Sequence, residues 1–252
     1  MPSHARSRSL KRSLAAGAVA LSMTVGGVVA AAPASADPAT TPESAAAAAL
    51  GSPTLSATSG TDVLALLDTA NKTLRSLGIQ PFLNPTVAFN CTTPTASNPL
   101  GLLPAAGGAV AGPWAAPGIS LPTIPLVNID PNVVKDGQVL YGFVPAGVTS
   151  DPTSTGMQVA WFNTATGKFG IGQMGKAGDT LVDAWLANVP ASPIKDMAAK
   201  TLSGIVNTIA PAGSRLAPVT TGKGTVLSAV FGTVNNGGRS CFFLPMVGVT
   251  NA

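Results

Sequence analysis

The stretch from Thr225 to Val249 constrains this chain most. It reads T-V-L-S-A-V-F-G-T-V, then N-N-G-G-R, then S-C-F-F-L-P-M-V-G-V. Two runs rich in β-branched and aromatic residues flank a turn sequence whose glycines accept left-handed backbone freely, which predicts an antiparallel hairpin. The second run holds Cys241. The only other cysteine is Cys91. An even pair in an exported chain predicts one disulfide, closing a loop of about 150 residues.

Export is read from the N-terminus. Arg6, Arg8, Lys11 and Arg12 precede an apolar, small-residue run from Leu14 to Ala32, and Ala34-Ser35-Ala36 has the A-x-A form of a cleavage site. This is the order of a secretory signal peptide, residues 1–36, with Asp37 as the expected mature start. There is no Arg-Arg pair, and no cysteine follows the small residues. The general secretory route is therefore expected, without a lipid anchor. Residues 37–60 are mostly Ala, Thr, Ser and Pro, the composition of a disordered leader.

Removing the signal peptide changes what charge implies. It contains four of the 14 lysines and arginines and none of the ten acids, so the mature chain carries ten of each. The basic balance belongs to the targeting signal, and no nucleic-acid partner is expected. His4, the only histidine, also leaves with it. A mature chain without histidine has no Ser-His or Cys-His nucleophile pair and no His-ligated zinc or haem iron. No cofactor, metal site or catalytic residue is predicted. Charged residues are only 10% of the chain, well under the ~25% of ordinary soluble domains. Either the surface is largely Thr, Ser, Asn and Gly, or part of it faces something apolar.

The pattern predicts a single α+β domain over 61–252, with a mostly antiparallel sheet built from hairpins and covered by two or three helices and a Pro-rich loop. Val63, Leu67, Ala70, Leu74 and Leu77 recur on one helical face, with Thr61 placed to start that helix and Gly78 to end it. Thr86–Cys91 reads as a short strand. No charge occurs between Arg75 and Asp130, and nine prolines recur there. Prolines and glycines forbid a continuous membrane helix across Leu100–Gly118, so no transmembrane helix is expected in the mature chain. The stretch 76–129 reads as an extended apolar loop, which either packs over its own sheet or lines an apolar cleft or lipid surface.

Val139–Val144, Met157–Asn163 and Phe169–Met174 read as strands, the last two as a hairpin, and a short strand is expected near Leu216–Val219. Ala160–Thr164 and Ala229–Thr233 share a similar phrase. One helix is expected behind Asp179 as cap, with Leu181, Val182, Trp185 and Leu186 inward. A second should open at Ser192-Pro193 and bury Ile194, Met197, Ala198, Leu202, Ile205, Val206 and Ile209.

Three patterns invite a catalytic or metal reading and have plainer explanations. Ser192-Pro193-Ile194-Lys195 matches S-x-x-K, but no S-D-N or K-T-G accompanies it, and a capping serine before proline accounts for the same residues. Asp130, Asn132 and Asp136-Gly137 resemble a calcium loop, but Val134 interrupts the alternation and no glutamate follows. Asp179 and Asp183 lie one helical turn apart on a single element, whereas glycosidase carboxylates usually face each other from different elements.

The adjacent pairs Trp161-Phe162 and Phe242-Phe243 put aromatics on both faces of a sheet. Either both faces are covered, or one binds something. Trp114, Tyr141, Phe143, Trp161 and Phe162 form the candidate apolar surface, expected where the Pro-rich loop crosses the aromatic strands.

The segments G-P-W (Gly112–Trp114), G-Q-V-L-Y-G-F-V-P (Gly137–Pro145), M-Q-V-A-W-F-N (Met157–Asn163) and G-T-V-L-S-A-V-F-G-T-V followed by C-F-F-L-P, with the Ala-rich signal, resemble small secreted proteins of unassigned function from mycolic-acid-bearing actinobacteria. The resemblance covers roughly Cys91 to Val249. It implies export and an envelope setting and carries no catalytic residues. The functional expectation is a non-enzymatic protein, secreted or in the cell envelope, that binds a lipid or another apolar or amphiphilic ligand. The alternatives are a structural or pore-forming envelope component and a carboxylate-dependent hydrolase.

Overall fold

The computed structural model describes Asp68, Asn71, Lys72 and residues 74–117, 119–124 and 127–252, with Ile209 by its backbone alone. The chain divides into two units, Met1–Pro38 and Ala39–Ala252, and the described residues belong to the second. The expected signal peptide, the leader 37–60 and the helix start at Thr61 lie outside the described residues. Asp68, Asn71, Lys72 and residues 74–76 are helical. Gly78, at φ 77°, stops that helix, and the Ile79 N–H closes it on the Leu74 carbonyl at 2.9 Å.

Twelve strands follow in this part of the chain, with two helices between the ninth and tenth. They are β1 (Gln80–Pro81), β2 (Thr86–Ala88), β3 (Leu103–Ala111), β4 (Trp114–Ala115), β5 (Asn132–Val134), β6 (Gln138–Pro145), β7 (Met157–Asn163), β8 (Phe169–Gln173), β9 (Gly175–Lys176), α1 (Ala177–Trp185), α2 (Pro193–Ile209), β10 (Arg215–Thr220), β11 (Thr225–Asn236) and β12 (Arg239–Asn251). All pairings are antiparallel. The class is α+β, but the strands form two principal sheets. One has the order β1-β3-β6-β10-β9, with β2 also on β3; the other has the order β12-β11-β7-β8; β4 and β5 form a separate pair.

Alternation along β6 explains the layering. Val139, Tyr141 and Phe143 face the second sheet and join its Val159, Val230, Phe243 and Met246 in one core. Leu140, between them in sequence, faces the other way and packs with α1, α2 and β5. The first sheet is thus a middle layer. On its far side Leu181, Val182, Trp185 and Leu186 are buried as the periodicity predicts, together with Ala198, Leu202 and Val206 of α2. Ile194 and Met197 are exposed instead, so the buried stripe of α2 lies further round the helix than the sequence pattern implies. Ser192 does cap α2: its Oγ accepts from the Lys195 N–H at 3.2 Å, with Pro193 at the first helical position. Asp179 does not cap α1. The residue before that helix is Lys176, and Asp179 sits in its first turn.

The Pro-rich stretch corrects the expectation of one long loop. Its middle, Leu103–Ala111, is a nine-residue strand between β1 and β6. The sequence L-P-A-A-G-G-A-V-A hides this strand because it has almost none of the β-branched or aromatic residues that mark one. Close packing explains the small side chains. A Cβ on Gly107 would lie 2.6 Å from the Gly142 carbonyl oxygen and 2.9 Å from the Phe82 ring. Beyond β4, Ile119, Leu121, Ile124, Val127 and Ile129 pack against the helical core.

The hairpin β11–β12 closes with a two-residue turn, Asn236 pairing with Arg239 across Gly237 (φ 59°) and Gly238 (φ 90°). Two positive φ values there match the right-handed twist of the strands. Cys91 and Cys241 are disulfide-bonded with Cα atoms 5.4 Å apart. The bond ties β12 to the segment after β2. Asn236 reinforces the joint by donating from Nδ2 to the Cys91 carbonyl at 2.8 Å. Replacing Cys241 with Ser should therefore lower stability by about 4–5 kcal/mol, the loop-entropy value for so long a crosslink. Denaturant unfolding of the variant, and of the native protein with and without reductant, measures this.

Candidate functional site

The outer face of the second sheet is the most unusual surface of the molecule. Its strands alternate in and out. Val159, Val226, Val230 and Phe243 point into the core, so their neighbours in sequence point away from it. Strand register then builds rows across the sheet. Phe169 pairs with Phe162, Phe162 with Leu227, and Leu227 with Val249. One step along, Ile171 pairs with Ala160, Ala160 with Ala229, and Ala229 with Val247. Directly opposed residues share a face, so each row is apolar across all four strands. Phe242 and Leu244 continue the surface along β12.

These side chains are not covered. Phe169 is 79% exposed, Ile171 67%, and Phe242 and Leu244 54% each. Together with Phe162, Leu227, Val247 and Val249 they present roughly 600–800 Å² of apolar surface, taking about 200 Å² for a phenylalanine and less for the aliphatics. The largest apolar patch on an ordinary monomer is about 300–600 Å². The only charged residue in the four strands is Arg239 at the start of β12, and Lys168 lies in the turn between β7 and β8.

The five aromatic residues expected to form one surface are distributed over three environments. Tyr141 and Phe143 are fully buried between the sheets, and the Phe143 ring meets Phe243 edge-on at 4.9 Å between centroids. Trp114 packs against the helical core and donates from Nε1 to the Leu77 carbonyl at 3.0 Å. Trp161 leans on the inter-sheet core beside Gly170, where an added Cβ would stand 3.0 Å from the indole nitrogen. Only Phe162 lies on the open face. The Pro-rich stretch supplies β1, β2 and β3 of the first sheet, runs beside β12 at Leu83–Thr86, and packs its later apolar residues on the helical core. Exposed Phe169, Ile171, Leu227, Leu244, Val247 and Val249 are not singled out from sequence, and Phe242 only as one of an adjacent aromatic pair. The available signal was apolar residues at both parities of β7, β11 and β12.

Four of the described acids are held in ion pairs. Asp68 pairs with Lys72, Asp136 with Lys223 and Asp151 with Arg215. The Lys135 ammonium, and then the Asn132 N–H, hold the Asp130 carboxyl below its ordinary range. Asp130 Oδ2 receives Lys135 at 2.6 Å and Oδ1 receives the Asn132 N–H at 2.9 Å, a self-closed turn ahead of β6. Asp179, Asp183 and Asp196 are exposed on the helices. Among the described residues no three His, Cys, Asp or Glu side chains cluster to hold a metal. No described helix is long and apolar enough to cross a membrane.

The Asp151–Arg215 pair is buried on both sides. Arg215 also donates to the Thr153 carbonyl at 2.7 Å, so it ties the loop before β7 to β10. Asp151→Asn leaves the guanidinium buried without its counter-charge. A loss of about 3–5 kcal/mol is expected by chemical denaturation, and an Asp151→Leu/Arg215→Met double variant should recover part of it.

Tyr141, the chain's only tyrosine, is fully buried, and its hydroxyl has no hydrogen-bond partner within bonding geometry. Burial pushes its phenol well up, with the nearby Ser228 hydroxyl acting weakly in the other direction. The neutral form is favoured in the folded state. The full stability is therefore present below about pH 10, where the unfolded phenol titrates. Above that pH this group should remove about 1.4 kcal/mol per pH unit until it ionises in the fold. Alkaline unfolding followed by tyrosinate absorbance reads this directly, and Tyr141→Phe should abolish the contribution.

No protein-family model, curated protein or solved structure matches this chain.

Proposed function

We propose that this is an exported, non-enzymatic protein of the cell envelope or extracellular medium that binds an apolar or amphiphilic partner through the outer face of the β12-β11-β7-β8 sheet. The observation that carries the reading is the pair of apolar rows running across all four strands with no charged side chain in either. Leaving such an area in water is unfavourable by about 25 cal/mol for every Å² of apolar surface, and large exposed apolar areas mark sites of interaction. The signal-like N-terminus, the cysteine pair and the resemblance to secreted actinobacterial proteins support the export part. The absence of histidine beyond position 4 and the paired or exposed acids support a binding role over catalysis. A pore has less support, since neither principal sheet closes on itself among the described strands.

The exported protein should enhance the fluorescence of an apolar probe, and extraction should recover bound lipid or amphiphile. Phe169→Asp/Ile171→Asp should lose that response by roughly ten-fold or more, with the thermal midpoint unchanged or raised because both side chains are exposed. Native protein that shows no affinity for probe, lipid or protein partner would remove the reading.

A further inference from the structure

We infer that the open edge of the second sheet, strand β8, pairs with the same edge of a second copy of this chain across a two-fold axis at Ile171. The two sheets then run on as one. This goes beyond the apolar-partner proposal and does not depend on it, because edge pairing leaves the outer face uncovered.

The hydrogen-bond pattern fixes which groups of β8 are free. The strand ends the order β12-β11-β7-β8 and pairs only with β7. Phe162 stands opposite Phe169, and Gln158 opposite Gln173. The Asn163 N–H reaches the Lys168 carbonyl at 2.8 Å, and the Met174 N–H reaches the Met157 carbonyl at 3.0 Å. Both bonds lie just outside those pairs, which makes Phe162–Phe169 and Gln158–Gln173 the non-hydrogen-bonded pairs of an antiparallel ladder. Gly170 and Gly172 therefore make the bonds to β7. The N–H and C=O groups of Phe169, Ile171 and Gln173 point away from it. Among the described residues nothing bonds to any of them.

β10 does not close this edge. Gly172 turns inward with its partner Val159, and a Cβ there would stand 3.0 Å from Val219 of β10. β10 thus passes beneath β8 on the core side, and the Trp161 indole backs Gly170 in the same way. Every residue of β8 is exposed or half-buried. The far edge of the sheet is guarded. There the Val247 carbonyl accepts from the Leu83 N–H at 2.8 Å, and the Val247 N–H donates to Asn84 Oδ1 at 3.0 Å. Native edges are blunted by charge, proline, a bulge or a covering segment. F-G-I-G-Q has no charge and no proline, and it pairs with β7 without a shift of register.

Register selects the partner. In an antiparallel pairing about Ile171, that residue exchanges both bonds with the second copy's Ile171. Phe169 exchanges both with the second copy's Gln173, and Gln173 with its Phe169. Every free donor and acceptor of β8 is used on both copies, whereas a shift along the strand leaves one end unpaired. Lys168 falls opposite the second copy's Met174, so no like charges meet and no carboxylate is needed. A strand of an unrelated chain would have to bring its own match, while a second copy brings this one, with two isoleucines side by side at its centre. The pairing also closes on itself. Each edge consumes the other, and with β12 covered the joined sheet does not grow into a fibre. Because the axis stands perpendicular to the sheet, the two apolar faces lie on the same side and merge into one surface.

Sedimentation velocity of the exported protein over a range of concentrations tests this. The expected result is a dimer that dissociates on dilution, since a strand of 5 residues on each side makes a small interface. Ile171→Pro removes an N–H that β7 does not use, and edge strands tolerate proline at such positions. It should weaken dimerisation roughly ten-fold or more, with the thermal midpoint near native. Ile171→Lys, which sets like charges opposite each other, should weaken it similarly without altering the backbone. Oxidised glutathione should link the Ile171→Cys variant to a second copy. Residues that exchange both bonds have Cα atoms about 5.5 Å apart, within disulfide reach. Leu227→Cys, in the middle of the outer face, should not link. A native chain that stays monomeric at its highest attainable concentration would overturn the inference. So would a dimer that Ile171→Pro and Ile171→Lys both leave intact, or one that links through Leu227→Cys and not through Ile171→Cys. Each of these results leaves the apolar-partner proposal standing, which probe binding by the native protein reads separately.

Discussion

The contact that the rest of the structure depends on is the packing of the first sheet against the second, centred on Phe143 and Phe243. β6 supplies Val139, Tyr141 and Phe143 to one side, and β11 and β12 answer with Val226, Val230, Val234 and Met246. Once this interface forms, every other surface has its role assigned. The reverse side of the first sheet must be covered, and α1, α2 and the segment after β4 cover it. The reverse side of the second sheet is left to the solvent or to a partner.

The edges of this sandwich are held by polar and covalent ties. Along β12 the segment before β2 hydrogen-bonds almost as another strand would. The Leu83 N–H meets the Val247 carbonyl at 2.8 Å, Asn84 donates to the Pro245 carbonyl at 3.1 Å, and the Thr86 hydroxyl donates to the Leu244 carbonyl at 2.9 Å. The disulfide closes the same seam. At the ends, Asn163 gathers the carbonyls of Thr221 and Lys223, while the Asp151–Arg215 pair gathers the loop before β7. The few charged and amide groups of this low-charge chain therefore work mainly as fasteners.

Much of the secondary structure was legible because local patterns there agree with tertiary needs. The last hairpin, β6, β7, β8, the Ser192 cap and the inward face of α1 follow from alternation, turn chemistry and periodicity. β3 was not legible, because Gly107 and Gly108 are small to admit Phe82, Ile79 and neighbouring carbonyls, a requirement set by residues distant in sequence. The site was legible only in outline. Adjacent aromatics at 161–162 and 242–243 revealed that both faces of a sheet are apolar, but not which face lies open. Tyr141 and Phe143 carry the same signature as Phe162 and are completely enclosed.

Sequence by itself marked the last hairpin, β6, β7 and β8 with their turns, the pairing partner of Cys241, and a chain poor in charge whose one histidine is His4, because these depend on residue identity and short-range spacing. Tertiary structure decided how many sheets there are, which of them becomes the middle layer, and which apolar residues remain in contact with water. The physical reason is that strand alternation assigns side chains to two faces but carries no information about what covers either. The hairpin that most constrains the chain thus has two faces of nearly equal hydrophobicity, and only the arrival of the first sheet against one of them makes the other a surface.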